Sequence, residues 1–136
     1  MSGAAIVRAL LAEYQPVRDI VADDRSIVTG ALRQRTSLPG LSVRTVDQNE
    51  IPTLARRRPV KTIRERVQVT ALALDYVTMK KLLKAAALGR GVHTGVIMGI
   101  RVQSILPASV GPEIPVGDDR IYEQSRDFMV TFVEAN

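Results

Sequence analysis

The sequence contains no cysteine and no tryptophan, and it has one histidine, two phenylalanines and three tyrosines. Without cysteine there is no disulfide frame, no thiolate nucleophile and no cysteine metal site, so the redox compartment stays open. Long apolar runs are also missing, which excludes a membrane-spanning helix, and the start MSGAAIVRALLAEY lacks the basic flank and small-residue cleavage site of a signal peptide. A protein made in a cytoplasm, without membrane contact, is expected. Hydrophobic residues make up 46% and charged residues 24%, the balance of a globular chain rather than of a disordered one or a coiled coil. At 136 residues the chain is expected to form a single domain, 1–136, removing roughly two-thirds of its unfolded surface from water.

The net charge of +5 is unevenly spread. Glu50 to Arg66 holds six basic and two acidic residues, whereas Glu113 to Asn136 holds six acidic and two basic ones. A domain with a basic and an acidic pole is suited to steering onto a phosphate backbone or to meeting copies of itself head to tail.

Ile6, Val7, Leu10, Leu11 and Tyr14 mark one face of a helix over residues 3–14, and Val17, Ile20 and Val21 a second short stripe after Pro16. Ile27-Val28-Thr29 is a short β-prone run, and the Leu38-Pro39-Gly40 turn leads into alternation over Leu41–Val46. Asp47 to Thr62 reads as an exposed basic loop or arm, centred on 48–62, because Pro52 and Pro59 interrupt it and its arginines have no apolar stripe beside them. Val67, Val69, Ala71 and Ala73 predict a central strand over Glu65–Leu74. Asp75 or Thr78 caps a helix with Met79, Leu82, Leu83 and Ala86 inward, ended by Gly89 and Gly91. Val96–Leu106 reads as one strand with Met98, Ile100 and Val102 on one face, Pro107–Asp119 as a loop, and Ile121–Val133 as a closing strand. The expected class is α+β: two layers, a mainly antiparallel sheet packed by an N-terminal and a central helix. Val67, Val69, Leu83, Ile100, Val102, Phe128 and Val130 are its expected core.

Catalytic patterns are weak. His93 sits in the turn-like GRGVHTG with no activatable serine, and the glycines there close a helix before a strand, the reverse of a phosphate loop. Asp118, Asp119, Glu123 and Asp127 fit no calcium-loop spacing and read better as a solvated rim than as ligands or an acid/base pair. No catalytic residue, metal or cofactor is therefore expected; a small enzyme or ligand-binding domain using His93 and the acidic rim is the weakest alternative. The strongest anomaly is the cluster Arg56, Arg57, Arg58, Lys61, Arg64 and Arg66. Clustered cations suit nucleic acid, yet no aromatic residue interleaves with them to stack bases, so a loop that docks on another subunit accounts for them as well as a small nucleic-acid-binding domain does.

Several local strings resemble one family. Asp24-Arg25 followed by Ile27-Val28, the Leu38-Pro39 turn before Leu41, Arg66-Val67-Gln68-Val69, Asp75-Tyr76 with the helix to Leu88, and Tyr122, Ser125, Asp127-Phe128 and Val130 are similar to the tail-completion proteins of long-tailed phages, which include lambda-type tail terminators. The chain departs from that family at Leu72, where an aromatic is common, and in a long Asn49–Lys61 arm. The resemblance implies a non-enzymatic virion protein, made in the host cytoplasm, that forms a ring, commonly a hexamer, on the head-proximal end of the tail tube. Its partners would be itself, the tail-tube protein and a head-completion or connector protein, with double-stranded DNA passing through the ring. Arg56, Arg57, Arg58, Lys61 and Arg64 would then contact a neighbouring subunit or the tube, or else line the DNA lumen, with Asp118, Asp119 and Glu123 as the complementary acidic patch.

Overall fold

A computed structural model describes residues 3–21, 26–30, 39–51, 60–89, 94–116 and 121–135. Helix α1 (Gly3–Glu13) turns Ile6, Val7 and Leu11 inward, and the single turn α2 (Gln15–Arg18) carries Pro16 where a missing amide costs no hydrogen bond. Strands β1 (Ile27–Thr29), β2 (Gly40–Ile51) and β3 (Val60–Ala73) follow. Helix α3 (Tyr76–Ala85) starts at Asp75, whose carboxylate accepts the Thr78 amide at 3.1 Å. Strands β4 (Gly95–Ile97), β5 (Ile100–Val110), β6 (Ile114–Val116) and β7 (Ile121–Ala135) complete the chain order.

These strands make one sheet in the order β1-β2-β3-β7-β5-β4, with β6 also paired to β7. The β1–β2 pair is parallel and the others antiparallel, and the mixed sheet curls into a half-barrel. This corrects the expected two-layer α+β fold of a mainly antiparallel sheet packed by helices. Length is the reason. Strand β7 has 15 residues and spans about 50 Å, whereas the 11 residues of α1 and 10 of α3 span only about 15 Å each. Two short helices leave most of such a sheet bare, and the sheet shelters the rest of its apolar face by curling: Ile105, Val130 and Phe132 are all within 1% of full burial.

Three further boundaries move. The expected loop over 48–62 is in part a two-stranded extension, since β2 continues to Ile51 and pairs with β3 through Asn49↔Arg64 and Ile51↔Thr62 after a bulge at Thr45/Asp47. Residues 52–59 lie outside the described residues. The strand expected over Val96–Leu106 is a hairpin, because Met98-Gly99 turns the chain between β4 and β5. Pro107, expected to open a loop, sits inside β5 beside a register shift, where its missing amide is tolerated. The core stands as expected: Val67, Val69, Leu83, Ile100, Val102, Phe128 and Val130 are all buried, while Met98 is exposed.

Candidate functional site

Pairing parity divides the sheet into two faces. Ile63, Glu65, Val67, Val69, Ala71 and Ala73 of β3 face the helices and the curled core. The alternate residues face away from the helices: Thr62, Arg64, Arg66, Gln68, Thr70 and Leu72 on β3, with Arg44 and Asp47 on β2, Arg101 on β5 and Glu123 to Val133 on alternate positions of β7. This helix-free face is a hydrogen-bonded polar ladder. Arg44 Nε donates to Gln68 Oε1 at 2.8 Å, Arg66 Nε to Asp127 Oδ2 at 2.7 Å, and a terminal nitrogen of Arg66 to Ser109 Oγ at 2.9 Å. The Thr70 and Ser125 hydroxyls share a hydrogen bond of 2.8 Å. A groove of about 500 Å³ runs over Ser42, Arg44, Thr70, Leu72 and Glu123.

Of the residues singled out in the sequence, Arg56, Arg57, Arg58, Asp118, Asp119 and His93 lie outside the described residues. Arg64 is exposed on the helix-free face between Asn49 and Thr131, and half-buried Lys61 pairs across the strands with Glu134. Glu123 stands opposite Leu72 and Ile114. Thr131, the partner of Arg64, is eight positions along β7 from Glu123, so about 25 Å separates the basic and acidic candidates on one face. The structure therefore does not bring Arg64 and Glu123 together within the chain. Among the described residues no group of three histidine or acidic side chains is placed to hold a metal ion.

Residue reasoning passed over Glu65, which is 2% exposed at an inward position of β3 between Ile63 and Val67. Its carboxylate accepts the Gly3 amide at 2.5 Å, the Thr45 hydroxyl at 3.0 Å and the Gln48 side-chain amide at 2.7 Å, which meets the requirement that a buried charge be hydrogen-bonded. The parity was visible in the alternation; the donors come from residues far away in sequence and were not. A second cluster fastens α3 to the connection between β5 and β6. Tyr76 Oη donates to Glu113 Oε1 at 2.7 Å, Lys80 forms an ion pair with the same carboxylate, and Lys80 Nζ also donates to Gln124 Oε1 at 2.7 Å. The hydrogen bonds from Lys80 and Tyr76 hold the Glu113 carboxyl below its ordinary range, and the Glu113 carboxylate in turn raises both Tyr76 and Lys80. Burial pushes the Arg126 guanidinium down from its ordinary value.

No family model and no curated protein matches the chain. Among solved structures, the fold is similar to that of a chain in the virion of a native gene transfer agent (GTA) particle. The match has a TM-score of 0.65 at 12% identity and covers 98% of this chain and 96% of that one. The two chains therefore share one fold over nearly their whole length.

Proposed function

We propose that the protein is a structural component of a phage or phage-like particle, and that within it the chain forms a ring capping the head-proximal end of the tail tube. The observation that carries this reading is the end-to-end likeness in fold to a chain of a gene transfer agent virion, with almost nothing added to or missing from either chain. The family resemblance of the sequence supports the finer assignment. So does the separation of Arg64 from Glu123 on one sheet face, because a head-to-tail ring needs two different patches on each subunit. The mechanism is steric: a ring seated on the last tube layer covers the surface onto which the next layer would add, and offers its other side to the head.

The test adds the purified protein to growing tail tubes of the same particle and measures tube length by electron microscopy. Growth arrest with a ring at one end is the expected result, and unchanged tube lengths would overturn the capping reading. Replacing Arg56, Arg57 and Arg58 together by serine is expected to weaken ring or tube attachment while the monomer stays folded. If that variant caps normally and loses only a salt-dependent affinity for duplex DNA, the arm belongs to a DNA-lining or nucleic-acid-binding function instead.

A further inference from the structure

Arg126 is a half-buried cation whose guanidinium bonds to none of the described residues. Along β7 the residues Gln124, Arg126, Phe128 and Val130 face the helices, and Arg126 pairs there with buried Val69 of β3 on one side and with Val110 of β5 on the other. Arg8, Arg66 and Lys80 are half-buried too, and each has an acceptor: Arg8 Nε donates to the Ile27 carbonyl at 2.9 Å, Arg66 Nε to Asp127 Oδ2 at 2.7 Å, and Lys80 Nζ to Gln124 Oε1 at 2.7 Å. For Arg126 there is no such acceptor among the described residues, and burial acts on it with no opposing charge beside it. Every fully buried side-chain nitrogen and oxygen among the described residues has a partner, so the unbonded guanidinium stays within reach of solvent. A guanidinium partly stripped of water and left unpaired lowers the stability of the isolated chain, and a carboxylate brought to it from outside removes that cost.

The surface around Arg126 is apolar and open. Val110, its neighbour across β5, is 53% exposed, and Pro107, which pairs with Phe128 on the same face, is exposed as well. Lys80 reaches Gln124, two positions along β7, but its charge is balanced by Glu113, and that carboxylate is itself held by Lys80 and Tyr76. The site therefore offers one guanidinium beside apolar side chains. A nucleic-acid backbone calls for several free cations in a row. A lone guanidinium flanked by valine and proline fits a single carboxylate, which its planar fork grips with two parallel hydrogen bonds.

We infer that Arg126 receives an aspartate or glutamate of a neighbouring protein subunit, with apolar side chains beside that carboxylate covering Val110 and Pro107. This inference rests on the reading of the chain as a structural component of a particle, and adds to it a contact point on the helix side of β7, on the face opposite to Arg64 and Glu123.

Two variants test it. Arg126→Met keeps the length of the side chain and removes its charge, so the isolated chain is expected to melt at or above the wild-type temperature while its affinity for particles or tubes falls by about tenfold or more. Arg126→Lys keeps the charge and supplies an amine. In assembled particles a water-soluble carbodiimide joins such an amine to a touching carboxylate as an amide, taking up the water released to become a urea. The product is expected to run as two joined chains on a denaturing gel, with mass spectrometry placing the bond at position 126 and at an aspartate or glutamate of the other chain. Wild-type attachment or a lower melting temperature for Arg126→Met, or amide bonds from Arg126→Lys only to carboxylates of its own chain, would overturn the contact while the structural role of the chain stands. So would a loss of duplex DNA affinity as the sole effect of Arg126→Met, which makes nucleic acid the occupant. Absence of the wild-type chain from purified particles would overturn the contact and the structural role together.

Discussion

The carboxylate of Glu65 receives the backbone amide of Gly3 at 2.5 Å, joining residues 62 positions apart and pinning the start of α1 to the middle of β3. A Cβ at position 3 would stand 2.6 Å from that carboxylate oxygen, so only glycine lets the helix start approach so closely. The same oxygen pair also holds Thr45 and Gln48 on either side of the β2 bulge, so one buried charge ties helix, bulge and central strand together.

Glu65→Ala leaves these donors without their acceptor and is expected to cost on the order of 3 kcal/mol, read from denaturant unfolding. Gly3→Ala is expected to lower stability as well, by forcing α1 off the carboxylate. A wild-type unfolding midpoint for both variants would show that the contact contributes nothing.

Phe128 is 2% exposed and pairs with Val67 on one side and Pro107 on the other. Phe128→Ala is expected to cost on the order of 3–5 kcal/mol, because the sheet around it is paired on both sides and cannot collapse into the cavity. Calorimetry on the folded variant measures it.

The Glu113 cluster makes stability depend on pH at both extremes. The folded carboxyl of Glu113 is depressed by Lys80 and Tyr76, so its contribution is present above the ordinary carboxylate range and is lost as pH falls through the lower folded value. Lys80 and Tyr76 are raised, so their contributions are present below their ordinary values and are lost as pH climbs through the folded ones. Glu113→Gln is expected to flatten the melting temperature profile at both ends and to let Tyr76 ionise at lower pH. Spectrophotometric titration reads the tyrosines without interference, since tryptophan is absent.

Asp75→Ala removes the side chain that accepts both the Thr78 amide and the Thr78 hydroxyl at 3.1 Å. A loss of about 1 kcal/mol is expected, with hydrogen exchange rising first in the opening turn of α3.

The helices, the central strand and the seven core residues were readable because each rests on a local period: Met79, Leu82 and Leu83 at helical spacing, Val67 and Val69 at strand spacing. The sheet's curl was not, because it depends on how β7 joins β3 to β5, and alternation within one strand says nothing about its neighbours. The arginine-rich stretch concealed the extensions of two strands, β2 beyond Val46 and β3 before Glu65, for a different reason. Asp47, Asn49, Arg64 and Arg66 face away from the helices, and their polar side chains erase the hydrophobic contrast on which the period depends, while Pro52 and Pro59 suggested a break across the whole segment. Met98 misled in the opposite sense: its hydrophobicity continued a strand pattern through what is a turn. At the acidic candidates the sequence put Glu123 beside Asp118 and Asp119, but only pairing with Leu72 places it on the face it shares with Arg64.

Strand β7 lies between β3 and β5, although it follows both in the chain, and Phe128 pairs with Val67 from 61 residues downstream. The β2–β3 hairpin is a local structure, but the second edge of β3 has no partner until residues 121–135 are in place. Contacts of such long sequence range put folding in the slow regime of β-rich domains. A fragment that stops before residue 121 thus lacks this strand and leaves the inner edges of β3 and β5 unpaired, open to pairing with the edges of other chains.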